Sequence, residues 1–227
     1  MVFSPFLAFF FFLYLVILGV LFAVLQVGVL TFVFSRVGVP PQTVFALLLL
    51  SLLGSFINIP LKRMHSDLIE PGRIISFYGW KFEVPGAHYH KESVLAVNLG
   101  GALVPSVVSL YLIAVNLDIL LSIILATAIV SIIVFRFSKP LKGVGIVIPT
   151  FIPPIAAAFT AIIISQADAP IIAYIAGSLG TLIGADILNL KKIAGLGAPV
   201  ASIGGAGTFD GVFLTGIIAV LLTSFGS

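Results

Sequence analysis

The sequence contains no cysteine, which excludes a disulfide framework, a thiolate nucleophile and any cysteine-based zinc or iron–sulfur site. Charge is almost as scarce. The 227 residues carry 8 acidic and 11 Lys/Arg side chains, whereas a soluble domain devotes about a quarter of its residues to charge. With 60% hydrophobic residues and a mean hydropathy of +1.29, the composition rules out an ordinary soluble globular protein. The pI near 9.3 does not argue for nucleic acid, because the basic residues are scattered over short loops and form no stripe that would release counterions from a duplex. The segment Met1 to Pro5 lacks the positive charge of a secretory signal, so the apolar run after it reads as a retained transmembrane helix.

What is abundant is long uncharged runs. A helix of about 20 apolar residues crosses a hydrocarbon core of about 30 Å. Runs bounded by Pro, Gly, Asn or charge fall near 5–34, 41–60, 94–115, 119–135, 143–165, 169–190 and 200–226. The expectation is an all-α polytopic membrane protein of about seven transmembrane helices, with a cytoplasmic loop insertion at 61–93 in one integral domain spanning 1–227. The Lys/Arg distribution agrees with that count. Ten of the eleven (Lys62, Arg63, Arg73, Lys81, Lys91, Arg136, Lys139, Lys142, Lys191 and Lys192) fall on one side of such a topology, and only Arg36 on the other. The positive-inside rule then puts the N-terminus in the cytoplasm and the C-terminus outside. The first run exceeds a bilayer and predicts tilt, or a kink near Gly19 and Gly28. Within the loop, Ile74–Tyr78 and Lys81–Val84 flank Gly79-Trp80 with imperfect alternation, which predicts a short β-hairpin.

Two carboxylates fall inside apolar spans: Asp186, in Gly180-Thr-Leu-Ile-Gly-Ala-Asp-Ile-Leu-Asn189, and Asp210, in Gly204-Gly-Ala-Gly-Thr-Phe-Asp-Gly211. An ionisable group at membrane depth costs at least about 2.5 kcal/mol on insertion scales, so it points by default to function. The alternative is a protonated Asp that glues helices together. Gly195, Gly197, Gly204, Gly205 and Gly207 disfavour regular helix, and Thr208 is an acceptable N-cap. Residues 191–207 therefore read as re-entrant or unwound, with Asp210 in the first turn of the last helix at a depth close to that of Asp186. Further interruptions stand at Asn58-Ile-Pro60, Asn98-Leu-Gly-Gly101 with Pro105, and Pro149-Thr-Phe-Ile-Pro-Pro154. They free backbone carbonyls for a substrate or ion, or simply allow close packing. Gly177, Gly180 and Gly184 let the sixth helix approach a neighbour. His65, His88 and His90 form a weak metal pattern in a polar loop, and neither a metal nor a cofactor is expected.

Gly180–Asp186, Ile203–Gly211, Ala96–Gly101 and Pro149–Pro154 together resemble a prokaryotic multi-pass membrane family known as domain of unknown function 1614, over roughly residues 55–224. That resemblance implies no activity. A looser one is to the GxGD intramembrane aspartyl proteases, where two aspartates on neighbouring helices share a proton and activate water. It implies Asp186 as the first aspartate, and Gly205-Ala-Gly207 followed by Asp210 as the second motif. This chain departs from the pattern in three places: Thr208 and Phe209 separate the glycines from Asp210, no Tyr precedes Asp186, and no Pro-Ala-Leu element follows.

Three functions compete. In a protease, one ionised and one neutral carboxyl act on water and on the scissile carbonyl of a transmembrane peptide. In a transporter or channel, the same pair binds a proton or cation. In a scaffold or lipid-binding module the pair is only glue. The candidate site comprises Asp186 and Asp210, with Asn98, Gly204, Gly205, Gly207, Thr208, Pro153, Pro154 and Asn189 around the substrate or ion. The expected partners are the lipid bilayer, a transmembrane peptide or a cation, and a further copy of the chain in a homo-oligomer; nucleic acid is not expected.

Overall fold

The computed structural model describes residues 5–65, 73–77, 80–84, 92–141, 145–193, 200–205 and 211–224. These residues are mostly helical. The first apolar run forms α1 (Pro5–Arg36), the second α2 (Pro41–Gly54). Four strands follow, β1 (Asn58–His65), β2 (Arg73–Phe77), β3 (Trp80–Val84) and β4 (Glu92–Asn98). A π-helical turn at Leu99–Leu103 leads into α3 (Val104–Val115), and a single turn at Leu117–Ile119 into α4 (Leu120–Phe137). The small strands β5 (Lys139–Leu141) and β6 (Gly145–Val147) precede α5 (Ile152–Ile164) and α6 (Ala169–Thr181). The latter continues through a second π turn, Leu182–Asp186, and a 3-10 turn to α7 (Leu190–Ile193). After β7 (Val200–Ile203) the described chain closes with α8 (Gly211–Ser224).

Local chemistry explains most of the helix ends. Pro153, Pro154 and Pro170 sit in the first turns of α5 and α6, where a missing N–H costs little because no earlier turn of the helix offers it a carbonyl, and Pro105 sits where the π turn passes into α3. α4 has no Gly or Pro over 18 residues, and stops where Ser138 turns extended and its hydroxyl donates to the Val134 carbonyl at 2.7 Å. At the start of α6 the Ser165 hydroxyl donates to Asp168 Oδ2 at 2.8 Å.

The bundle is built around α6, which packs on α3, α4, α5 and α8 and is fully buried from Ile172 to Ser178. Its small residues permit this. A Cβ on Gly180 would stand 2.8 Å from Val130 Cγ1, and one on Gly184 the same distance from Val134 Cβ, so α4 and α6 run parallel at close range. Elsewhere in the core, Phe34 of α1 stacks at a tilt on Tyr174 of α6, with ring centroids 5.8 Å apart, and lies 6.5 Å from Phe213 of α8. The outer faces remain apolar: Leu121, Ile132, Phe159 and Ile163 are each about two-thirds exposed or more. Two stretches of described helix, Leu117–Phe137 and Ala169–Lys192, are long and apolar enough to cross a membrane.

The structure corrects the all-α expectation and several span limits. β1, β4 and β7 form a three-stranded mixed sheet, with β1 antiparallel to β4 (Asn58 opposite Asn98) and β7 parallel to β4 (Val97 opposite Ile203). Thus the second run leaves helix at Gly54, the third begins as strand, the fifth begins with β6 paired to the β5 that precedes it, and the seventh begins as strand. The reason is that hydropathy registers burial and not backbone form: Val94-Leu-Ala-Val97 and Val200-Ala-Ser-Ile203 are apolar or small, but find strand partners. Pro60 is accommodated by an irregularity in the β1 register between Pro60 and Lys62, as a residue without an N–H requires. β2 and β3 pair as the hairpin expected from the alternation, with Phe77 opposite Trp80.

Candidate functional site

The sheet brings the ends of β1, β4 and β7 against both π turns. Ala102 of the first π turn, Leu182 of the second and Val212 of α8 form a buried apolar cluster, packed against Val97 of β4 and Ile203 of β7. Three parts of the chain far apart in sequence, Val97 with Ala102, Leu182, and Ile203 with Val212, therefore meet at one end of α6. π turns are rare and recur at functional sites. Here each contains a glycine pressed on another backbone: Gly100 on the Ser51 carbonyl and Gly54, Gly184 on the Ser131 carbonyl.

Asn98 holds the first π turn. Its side chain is fully buried, and its Oδ1 accepts from the Gly101 N–H at 2.7 Å. Its Nδ2 donates to the Ser55 carbonyl at 2.6 Å and to Asn58 Oδ1 at 3.0 Å. Asn58 Oδ1 also accepts from the Ser202 hydroxyl of β7 at 2.6 Å, while the Ser51 hydroxyl donates to the Gly100 carbonyl at 3.0 Å. One connected network thus ties α2, all three strands and the π turn. The expected break within a third helix is instead the last residue of a strand acting as an N-cap.

Asp186 ends the second π turn and is half-buried. Its Oδ2 accepts the Gly204 N–H at 2.8 Å. Gly204 follows β7 with φ +80°, and a Cβ there would stand 2.6 Å from Ala102 Cβ, so the position needs glycine on both backbone and steric grounds. Gly205, at φ +89°, donates to the Ser202 carbonyl at 3.2 Å and completes the turn. Asn98, Gly204, Gly205 and Asp186 are thus brought to one junction.

Other expected site residues fall differently. Asn189 is buried with its amide turned back on its own helix, donating to the Gly184 and Ala185 carbonyls at 3.2 and 3.0 Å, while its Oδ1 accepts from Lys192 Nζ at 2.8 Å. That makes it a helix-end fastener. Pro153 and Pro154 open α5 and do not interrupt it, so they free no carbonyls of the kind a broken helix would supply. Gly207, Thr208 and Asp210 lie outside the described residues, as do His88 and His90. Gly211, next to Asp210 in the chain, opens α8, and Val212 belongs to the apolar cluster that holds Leu182. Among the described residues, no three His, Asp or Glu side chains group as a metal site.

Ser202 and Ser51 join this junction without a sequence signal. Ser202 lies 144 positions from Asn58, and nothing in the intervening sequence marks the pairing. Chemically, the junction offers a carboxylate fixed by a backbone N–H, a strand end and a glycine turn, beside a neutral amide network with every amide group of Asn98 engaged.

No curated protein and no solved structure matches this chain. The family described as a protein of unknown function (DUF1614) matches residues 52–222, from the end of α2 through nearly all of α8, and the chain belongs to that family.

Proposed function

We propose that this is a multi-pass membrane protein, with its N-terminus cytoplasmic and its C-terminus outside, in which Asp186 and Asp210 act as an intramembrane aspartyl protease pair on a transmembrane or membrane-proximal peptide. The membrane part is supported by the exposed apolar faces of α4 and α5 around a bundle that hides its hydroxyls and amides, the inverse of a soluble surface. The two stretches of spanning length and the ten-to-one Lys/Arg bias point the same way. Extraction of membranes with alkaline carbonate tests it: an embedded chain stays in the pellet, and a soluble or peripheral one is released.

The observation that carries the protease reading is the hydrogen bond from Gly204 to Asp186. It holds a half-buried carboxylate beside the end of β7, and among the described residues β7 pairs on one side only, with β4. An extended peptide added to the other edge of that strand would run past the carboxylate, since strand addition recruits main-chain hydrogen bonds. Asp210, immediately before α8, would supply the second carboxyl. With both close together only one ionises, and the charged one draws a proton from water while the neutral one donates to the scissile carbonyl. The pair would titrate as a unit.

The test uses wild type, Asp186→Asn and Asp210→Asn in proteoliposomes with transmembrane reporter peptides, read by mass spectrometry of the fragments. Cleavage by wild type that falls about 100-fold or more in both variants supports the reading; cleavage near the wild-type rate in either variant refutes it. The absence of native cysteine permits an independent check. Asp186→Cys combined with Asp210→Cys should form a disulfide on oxidation, which demands Cα atoms within about 7 Å.

A proton- or cation-coupled transporter is the second reading, favoured by one feature of α6. Thr181 is buried with its hydroxyl unpartnered among the described residues, and so is Ser109 on α3. The Tyr174 hydroxyl lies near Ser178, yet neither group completes a hydrogen bond of regular geometry. A row of such groups leading along α6 towards Asp186 suits a hydrated interior. Proton or sodium flux that Asp186→Asn abolishes, without peptide cleavage, would establish that reading instead.

A further inference from the structure

A groove of about 440 Å³ runs along the outside of the bundle between α3, α4 and α6. Its walls are apolar, formed chiefly by Ile113, Leu120, Ile124, Ile132 and Ile183, and Ile183 belongs to the π turn that ends in Asp186. The two hydroxyl residues of the groove contribute little polarity. Ser131 donates to the Thr127 carbonyl at 2.7 Å, and Thr127 Oγ1 is buried beneath the wall, without a hydrogen-bond partner among the described residues. From Leu120 to Ile132 the groove follows twelve residues of α4, about 18 Å, and its Ile132 end points to the last turn of that helix.

The end of the groove is basic. α4 and α6 run parallel, so their last turns arrive together: Lys192 Nζ lies 4.9 Å from the centre of the Phe135 ring, one turn beyond Ile132. Arg136 and Lys191 stand exposed at the same level. Among the described residues no carboxylate pairs with Arg136, Lys191 or Lys192, whereas Asp118 and Asp168 lie just before the opposite ends of α4 and α6.

An apolar trough whose Ile132 end lies one turn from Arg136, Lys191 and Lys192, none of them paired to a carboxylate among the described residues, matches a ligand with an acyl chain and a negative head. We propose that this groove binds one anionic phospholipid, with an acyl chain against α4 and Ile183 and the phosphate between Arg136, Lys191 and Lys192. The assignment rests on the membrane reading above and is independent of the aspartate chemistry. Charge complementarity selects the occupant: a zwitterionic lipid brings its own cation to a cationic rim, and a transmembrane peptide would need no cluster there. By its contact with Ile183 the bound lipid would bear on the turn that presents Asp186.

The experiment uses the full chain, extracted from membranes in mild detergent and titrated with phosphatidylglycerol or phosphatidylcholine, with bound lipid counted by native mass spectrometry. Wild type should retain one phosphatidylglycerol at least about tenfold more tightly than phosphatidylcholine. Arg136→Gln with Lys191→Gln should erase that preference, and Ala128→Phe, an exposed position in the groove, should displace lipid of either kind. Size exclusion and circular dichroism verify that both variants stay folded. Equal binding of the two lipids, or a preference that survives the double substitution, overturns the proposal. So does a dimer that Ala128→Phe dissociates, since the groove would then hold a second copy. The carbonate extraction keeps the two readings apart: a chain that stays in the membrane but shows no lipid preference refutes this site alone.

Discussion

The two π turns use the same device for different ends. At Leu99–Leu103 the anchoring side chain, Asn98, is fully buried and bonds a carbonyl, a side-chain oxygen and an N–H, all from the protein. At Leu182–Asp186 the side chain at the turn is a half-buried carboxylate bonded to the N–H of a glycine from a different part of the chain. The neutral amide satisfies donors and acceptors alike and serves as a clasp. A carboxylate is an acceptor that also titrates, so the second turn is the one that can do chemistry.

That contrast breaks most sharply under exchange of chemistry without exchange of shape. Asp186→Asn keeps an oxygen to accept the Gly204 N–H, so that contact should survive, while peptide cleavage in proteoliposomes should fall about 100-fold or more. Asn98→Ala should do the reverse. It strands the Gly101 N–H and the Ser55 carbonyl in a dry site, and unfolding measurements should show a loss of about 3 kcal/mol. Gly204→Ala sharpens the link between the turns, because the added methyl meets Ala102 at 2.6 Å and φ is +80°. A loss of about 2 kcal/mol is expected, with cleavage impaired in the protein that folds. The smallest effect belongs to the scaffold beneath the second turn. Gly180→Ala pushes on Val130 at 2.8 Å, and about 1 kcal/mol of stability should be lost as α4 and α6 separate slightly.

The two anchors also differ in how well the sequence announced them. Asp186 stood out because a carboxylate in an apolar run is costly wherever it lies. Asn98 stood out only as an interruption, and its actual setting, the last residue of a strand, was hidden by the uncharged run around it. Asn58 was visible beside Pro60, but its partner Ser202 was not, since a serine in a small-residue stretch carries no local signal. Pro153 and Pro154 looked like breaks and are helix starts, because proline is disfavoured inside a helix yet suits its first turn, and sequence alone leaves the helix limits loose.

Composition and local pattern by themselves determined the apolar helical bundle, the β2–β3 hairpin, the glycine-dependent approach of α6 to a neighbour, and the presence of an ionisable group where burial is expensive. These follow from properties carried by single residues or by neighbours a few positions apart. The tertiary structure alone decided that β1, β4 and β7 pair, that two helices widen into π turns, and that Gly204 caps Asp186. A backbone N–H or carbonyl takes whichever partner the fold brings within reach. For β4 and β7 that partner lies about a hundred residues away, beyond the range of any local pattern.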